Sequence, residues 1–209
     1  DCARIDACPE LQRQHFSAWF PQLFAALPSL ALAATAPEPH LPFWLSTDIS
    51  GRKWQQIVGL ATRVGQSGRP VLEWCAGKGH LGKVMSYLYQ APVTSLEWQQ
   101  SLCHAGQQRA GQLGLRQQFV CVDVLKQPVA AYLQPAQQLL ALHACGDLHR
   151  VAAKAAVEAG CQALALVPCC YHLQQTASYQ PLSEAAQHSA LRLSKADLRL
   201  AVQQSCTGG

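Results

Sequence analysis

The sequence predicts an α/β protein, a parallel sheet with helices on both faces, and three observations predict it. From residue 70 onward, short apolar runs alternate with helix-like segments five times. A glycine-rich turn, Gly77-x-Gly79-x-x-Gly82, joins the first run to the first of those helices. Acidic residues stand at the ends of three successive runs: Glu73, Glu97 and Asp123. Strand and helix in such alternation require right-handed crossovers, and folds of this kind hold ligands at the carboxyl ends of their strands.

Residues 9–27 read as an amphipathic helix, with Leu11, Phe16, Trp19, Phe20, Leu23, Phe24 and Leu27 near helical spacing and a kink at Pro21. Pro28, Pro37, Pro39 and Pro42 make residues 28–45 a wrapping connection. A second helix is expected over 50–66, ending in the Gly65–Gly68 loop. Residues 1–66 are thus expected to form an N-terminal helical extension, and 67–209 the ligand-binding domain. Buried parallel strands are expected at Val71–Trp74, Val93–Glu97, Phe119–Val122, Leu139–His143 and Ala163–Val167. Helices are expected around 80–90, 99–113, 128–134 and 148–159, and a long helix over about 182–204 closes the chain.

The composition suits one domain with a substantial core: 209 residues, 49% hydrophobic and only 13% charged. A net charge of +4 without any dense Lys/Arg run permits a nucleic-acid partner and does not by itself argue for one. No apolar run is long enough to span a bilayer, so no membrane partner is expected. Of the ten cysteines, Cys75, Cys121 and Cys145 lie in or beside apolar runs, and Cys169 and Cys170 are neighbours. With no signal peptide in view, they read as reduced thiols in a cytoplasm. Oligomeric state is not legible.

Glycines at a strand-to-helix turn let a ligand lie against bare backbone, and the helix N-terminus behind them offers unpaired N–H groups. Glu97 follows Gly79 by 18 positions, the spacing at which an acid receives ribose hydroxyls. Asp123, followed by Val124, is placed to take a hydrogen bond from an adenine amino group. These acids point to an adenosine-containing cofactor. Glu73 chooses between two: it would repel a pyrophosphate and favour the ammonium of S-adenosyl-L-methionine. An NAD-dependent oxidoreductase is the alternative.

The segment Leu72-Glu-Trp-Cys-Ala-Gly-Lys-Gly-His-Leu-Gly82 resembles the first motif of class I S-adenosylmethionine-dependent methyltransferases. In particular it resembles a group found in bacteria and animals that shares a G-K-G-H-L core. Leu142-His-Ala-Cys-Gly-Asp-Leu148 and Pro168-Cys-Cys-Tyr-His172 resemble two further motifs of that group, and the likeness covers roughly residues 50–200. It implies a Rossmann-like class I methyltransferase sheet. It also implies that Glu73, Gly77, Gly79, Glu97 and Asp123 hold the cofactor, with Cys75, Lys78, His80, Trp98, Val124 and His143 beside it. Two departures stand out. Cys75 takes the place of a glycine, and the chain ends before any sixth and seventh strand, so the domain reads as cut short at its C-terminus.

Methyl transfer needs a positioned nucleophile, and a base where that nucleophile must lose a proton. The loops after the fourth and fifth strands carry the candidates: Asp147, His149, Cys169, Cys170, Tyr171 and His172. In the first reading they orient an acceptor, with Asp147, His149 or His172 as base. In the second, Cys169 or Cys170 is a nucleophile. In the third, His143, Cys145, Cys169, Cys170 and His172 bind zinc, but no C-x-x-C pair is present and adjacent sulfurs suit one tetrahedral site poorly. The site is therefore expected to be metal-free. Lys53 can reach the site or be an exposed helix lysine. The acceptor is expected to be RNA, by analogy with similar folds, and a non-catalytic cofactor-binding module is a further alternative.

Overall fold

The computed structural model describes residues 9–19, 21 and 39–200. It divides into two compact units, Asp1–Ala34 with Gln204–Gly209, and Thr35–Gln203. In the first unit the described element is helix α1, Pro9–Ser17. Residues 22–27 of the helix expected over 9–27 lie outside the described residues.

In the second unit, five strands form one parallel sheet in the order β3-β2-β1-β4-β5. They are β1 (Val71–Trp74), β2 (Val93–Glu97), β3 (Gln117–Cys121), β4 (Gln138–Leu142) and β5 (Ala163–Val167). Helices α2 (Gly51–Val64), α3 (His80–Tyr89), α4 (Gln100–Gln112) and α5 (Asp147–Glu158) pack around it, and the short α6 (Glu184–His188) and α7 (Lys195–Leu200) follow. The strand order reverses between β1 and β4, so the loops after these two neighbours open over one crevice, where ligands of doubly wound sheets bind.

Alternation along the strands sorts two cores. Leu72, Trp74, Leu96, Leu139 and Ala141 pack with Ala152, Ala155 and Ala156 of α5. Val71, Val93 and Leu140 pack with Ile57 and Ala61 of α2 and with Leu81, Val84 and Met85 of α3. Burying a leucine of this kind stabilises by about 2 kcal/mol. Residues 39–66, part of the expected N-terminal extension, lie in the same compact unit as the sheet, where α2 covers the central strands.

Three expectations are corrected. Strand β3 begins at Gln117 rather than Phe119, and Asp123 lies two residues beyond its end. The segment 128–134 forms only a 3-10 turn at Ala130–Tyr132, since Leu133 is already extended (ψ 135°) and Pro135 disfavours helical backbone at Gln134. The long helix expected from 182 is two short ones, α6 and α7, separated by a bridge that pairs Ser178 with Ser194. Among the described residues no strand follows β5, and no helix is long and apolar enough to cross a membrane.

Candidate functional site

The chain leaves β1 through a turn of left-handed residues: Cys75 (φ 55°), Gly77 (58°) and Gly79 (70°). Only glycine adopts this region without steric cost. The glycines do different work. A Cβ at Gly79 would stand 2.3 Å from Phe119 Cζ, and one at Gly82 would stand 2.5 Å from Glu73 Oε2, so these two exist for packing against the sheet. At Gly77 nothing lies within 4 Å. The bare backbone predicted for a ligand is therefore at Gly77, with Lys78 beside it.

Glu97, at the end of β2, is nearly buried and accepts from Gly77 N–H (2.8 Å) and Gln99 N–H (2.9 Å). It thus ties the glycine turn to the neighbouring strand. Trp98 beside it is exposed. Asp123 accepts from Leu125 N–H (3.1 Å) and pairs with Lys126 at 3.1 Å. That lysine, then the Leu125 amide, holds its carboxyl below the usual range. Val124 is buried in the α5-side core.

Glu73 points to the α3 face, where Oε2 takes the Ser95 hydroxyl at 2.6 Å and lies 3.4 Å from Gln117 Nε2. Burial pushes its pKa up to about 7, opposed by Ser95 and by the backbone N–H groups of Gly82 and Leu81 at the start of α3. A carboxyl there complements the helix N-terminus. Its bonds are made within the protein, and only one edge of it borders the crevice.

That edge lines a cavity of about 130 Å³ together with Lys53, Cys75, Gly77, His80 and His143. The Cys75 thiol is pushed up to about 12 by burial and then by Glu97, so it stays protonated. His80 falls to about 4 through burial and the nearby Lys83, Lys53 and Lys78. His143 lies one residue past β4 in a left-handed conformation (φ 65°), with Nε2 3.0 Å from Gln56 Oε1 of α2. Burial, then Lys53 and Arg52, lower its pKa below the ordinary histidine value. Gln56 is 87 residues from His143 in sequence, and no local pattern announces it.

The loops after β4 and β5 are locked together. Gly146 (φ 57°) lets them touch: a Cβ there would stand 2.3 Å from the Leu173 carbonyl oxygen. Its N–H donates to Cys170 O at 3.0 Å. Asp147, predicted as a base, has both oxygens committed, Oδ1 to Arg150 (2.9 Å) and Oδ2 to Gln175 N–H (2.7 Å). It is a clamp between loops. His149, another predicted base, is buried, its ring edge-on to Tyr171 at 5.6 Å, and burial lowers its pKa despite the Ala144 carbonyl. Nδ1 of His149 and Nδ1 of His172 are buried without a hydrogen-bond partner. Cys145, Cys169 and Cys170 gather their sulfurs within 4.8 Å of one another. The described cysteines are all free.

A family model described as a methyltransferase domain matches residues 52–177. Among solved structures, the chain is similar to one concerned with converting a disulfide bond into a thioacetal group during echinomycin biosynthesis (21% identity, TM-score 0.44). That likeness covers 53% of this chain and 48% of the other. It is also similar to a geranyl diphosphate C-methyltransferase from Streptomyces coelicolor A3(2) (15% identity, 45% and 35% covered, TM-score 0.38). A glycopeptide N-methyltransferase complexed with S-adenosyl-L-methionine follows (20% identity, 51% and 50% covered, TM-score 0.39). The chain thus spans half or less of the length of these structures. None of the curated proteins compared matches it.

Proposed function

The chain belongs to the methyltransferase-domain family matched over residues 52–177, and from that premise we propose that it transfers a methyl group from S-adenosyl-L-methionine to an acceptor. The observation that carries this reading is the crevice at the strand-order reversal. There an open glycine, Gly77, faces away from the packing, and Glu97 is fixed beside it by two backbone N–H groups. Gly77, Glu97, Trp98 and the Asp123–Val124 pair would hold the adenosyl half of the donor. The cavity bordered by Glu73, Lys53, His80 and His143 suits the amino-acid half, whose ammonium and carboxylate call for one acidic and one basic neighbour.

When bound, the donor supplies an electrophilic methyl carbon. The protein's own part is positioning and proton transfer. His143 borders the cavity and, with its lowered pKa, is neutral near pH 7 and able to take a proton from an acceptor. With the Gln56 amide oxygen accepting from Nε2–H, Nδ1 is the atom left for that proton. Asp147 and His149 serve instead to hold the loop that carries the cysteines.

For the acceptor class we put forward RNA. The net charge of +4 is favourable. A second cavity, about 210 Å³, is lined by Lys78, Lys83 and Arg109, with Asp48 on its wall. Lys83 is almost fully buried and has no hydrogen-bond or ion-pair partner among the described residues, so a phosphate would supply the missing counter-charge.

The test is direct. Calorimetric titration should show binding of S-adenosyl-L-methionine and S-adenosyl-L-homocysteine and none of NAD. Incubation with labelled donor and fractionated extract should then place label in RNA, and Lys83→Met should reduce that labelling. Binding of NAD alone rejects the methyltransferase reading. Label confined to protein or small molecules rejects RNA while leaving methyl transfer standing.

A further inference from the structure

The loops after β4 and β5 bring three sulfurs together, Cys145 Sγ to Cys169 Sγ at 3.0 Å and Cys169 Sγ to Cys170 Sγ at 3.5 Å. All three lie within 4.8 Å of one another. We propose that Cys145, Cys169 and Cys170 form a zinc site that joins the two loops through three thiolates. The site does not depend on the methyl-transfer reading.

Adjacent cysteines are a poor chelate in an extended strand, where successive side chains point to opposite faces. This segment is no longer a strand. β5 ends at Val167, and Cys170 has φ −106° and ψ 72°, well off the extended ψ. The change of direction brings both sulfurs to one side. Across from them, Gly146 N–H to Cys170 O and His143 N–H to Val167 O (2.8 Å) fix the β4 loop independently of any ion. Cys145 is thereby held where it meets the pair, and its own thiol donates to His143 O at 3.2 Å.

The distances suit the ion. Zinc–sulfur bonds of about 2.3 Å at tetrahedral angles set sulfur atoms about 3.8 Å apart. The Cys145–Cys169 and Cys169–Cys170 spacings of 3.0 and 3.5 Å fall short of that value by under about 1 Å, so small side-chain rotations bring the sulfurs to it. An all-sulfur set selects a soft ion over magnesium or calcium. Binding releases the thiol protons to solvent, and three protein ligands leave a fourth position for water or an acceptor atom.

The experiment uses the reduced 209-residue chain. Zinc binding is measured by competition against a chromophoric chelator, and cobalt(II) substitution reads the sulfur-to-metal charge-transfer band. One ion per chain is expected, with a band of three-thiolate intensity. Cys145→Ser, Cys169→Ser and Cys170→Ser should each weaken zinc by at least about tenfold, whereas the exposed Cys121→Ser should not. Circular dichroism of each variant separates loss of metal from loss of fold. No zinc binding by the folded wild type overturns the proposal. Equal binding by the Cys145→Ser and Cys169→Ser variants overturns it too, as does a Cys145–Cys169 disulfide formed under mild oxidant that zinc fails to prevent.

Discussion

The turns that leave β1 and β4 start alike and finish differently. Each passes through a non-glycine residue in the left-handed region directly after its strand, Cys75 at φ 55° and His143 at φ 65°, and each then uses a left-handed glycine. Beyond that point they diverge. Space is open around Gly77 after β1, while the Cβ position of Gly146 after β4 is filled by the Leu173 carbonyl. Backbone strain at both turns is the kind that clusters at functional sites. What separates them is packing: space is open beside Gly77, whereas the Gly146 turn is closed by the next loop, where three thiols meet.

The largest effect should break this contrast directly. Gly146→Ala places a methyl group 2.3 Å from a backbone carbonyl at φ 57°, and neither partner is a flexible side chain. Overpacking and the left-handed penalty together should cost about 3 kcal/mol or more, read as a shift in the urea midpoint. Gly77→Ala carries only the left-handed penalty, about 1 kcal/mol, yet it should weaken donor binding at least about tenfold because the methyl group projects into the open side. Equal destabilisation by the two substitutions would show that both turns are packed alike.

Next in size is a pH effect on the β1 side. Glu73 has its folded pKa near 7, above its ordinary 4.5. Between those values the folded state binds more protons than the unfolded one, so stability falls as pH rises. The contribution is complete below about pH 4.5 and gone above about pH 7, and amounts to about 3 kcal/mol. Glu73→Gln cannot ionise, so the variant should gain about that much relative to wild type from pH 4.5 to 7 in parallel urea titrations. Unchanged pH dependence would return Glu73 to the crevice as a solvated carboxylate.

The sheet was legible because its strands are short apolar runs punctuated by glycine turns, and parallel strands buried on both faces carry that signature. β3 was read two residues short because Gln117 is polar. The fold nonetheless buries it, with Nε2 donating to Gly79 O (2.9 Å) and Ser95 Oγ (2.9 Å). Helical periodicity over 182–204 persisted through Ser189 and Ser194, but the chain there turns to pair with Ser178, a tertiary choice that periodicity does not record. The glycine turn and Glu97 were found because their spacing is local. Gln56 beside His143 and the bond of Asp147 to Gln175 were not, since contacts across long stretches of chain leave no spacing to read. The three cysteines were visible, but their convergence depends on the bend at Cys170.

The smallest effect sharpens the parallel between the two turns. If Cys75 is in place only as a strained stand-in for glycine, Cys75→Gly relieves a left-handed penalty of about 1 kcal/mol. The loss of a partly buried sulfur packed on the α5-side core, and the greater freedom of glycine in the unfolded chain, oppose that gain by a similar amount. Stability should therefore move by no more than about 0.5 kcal/mol in urea unfolding. At the matching position after β4, His143→Gly also gives up the bond to Gln56, so it should lose about 1 kcal/mol more than Cys75→Gly. A Cys75→Gly loss larger than that of His143→Gly would mean that the thiol, which stays protonated beside Glu97, is itself a structural anchor of the open turn.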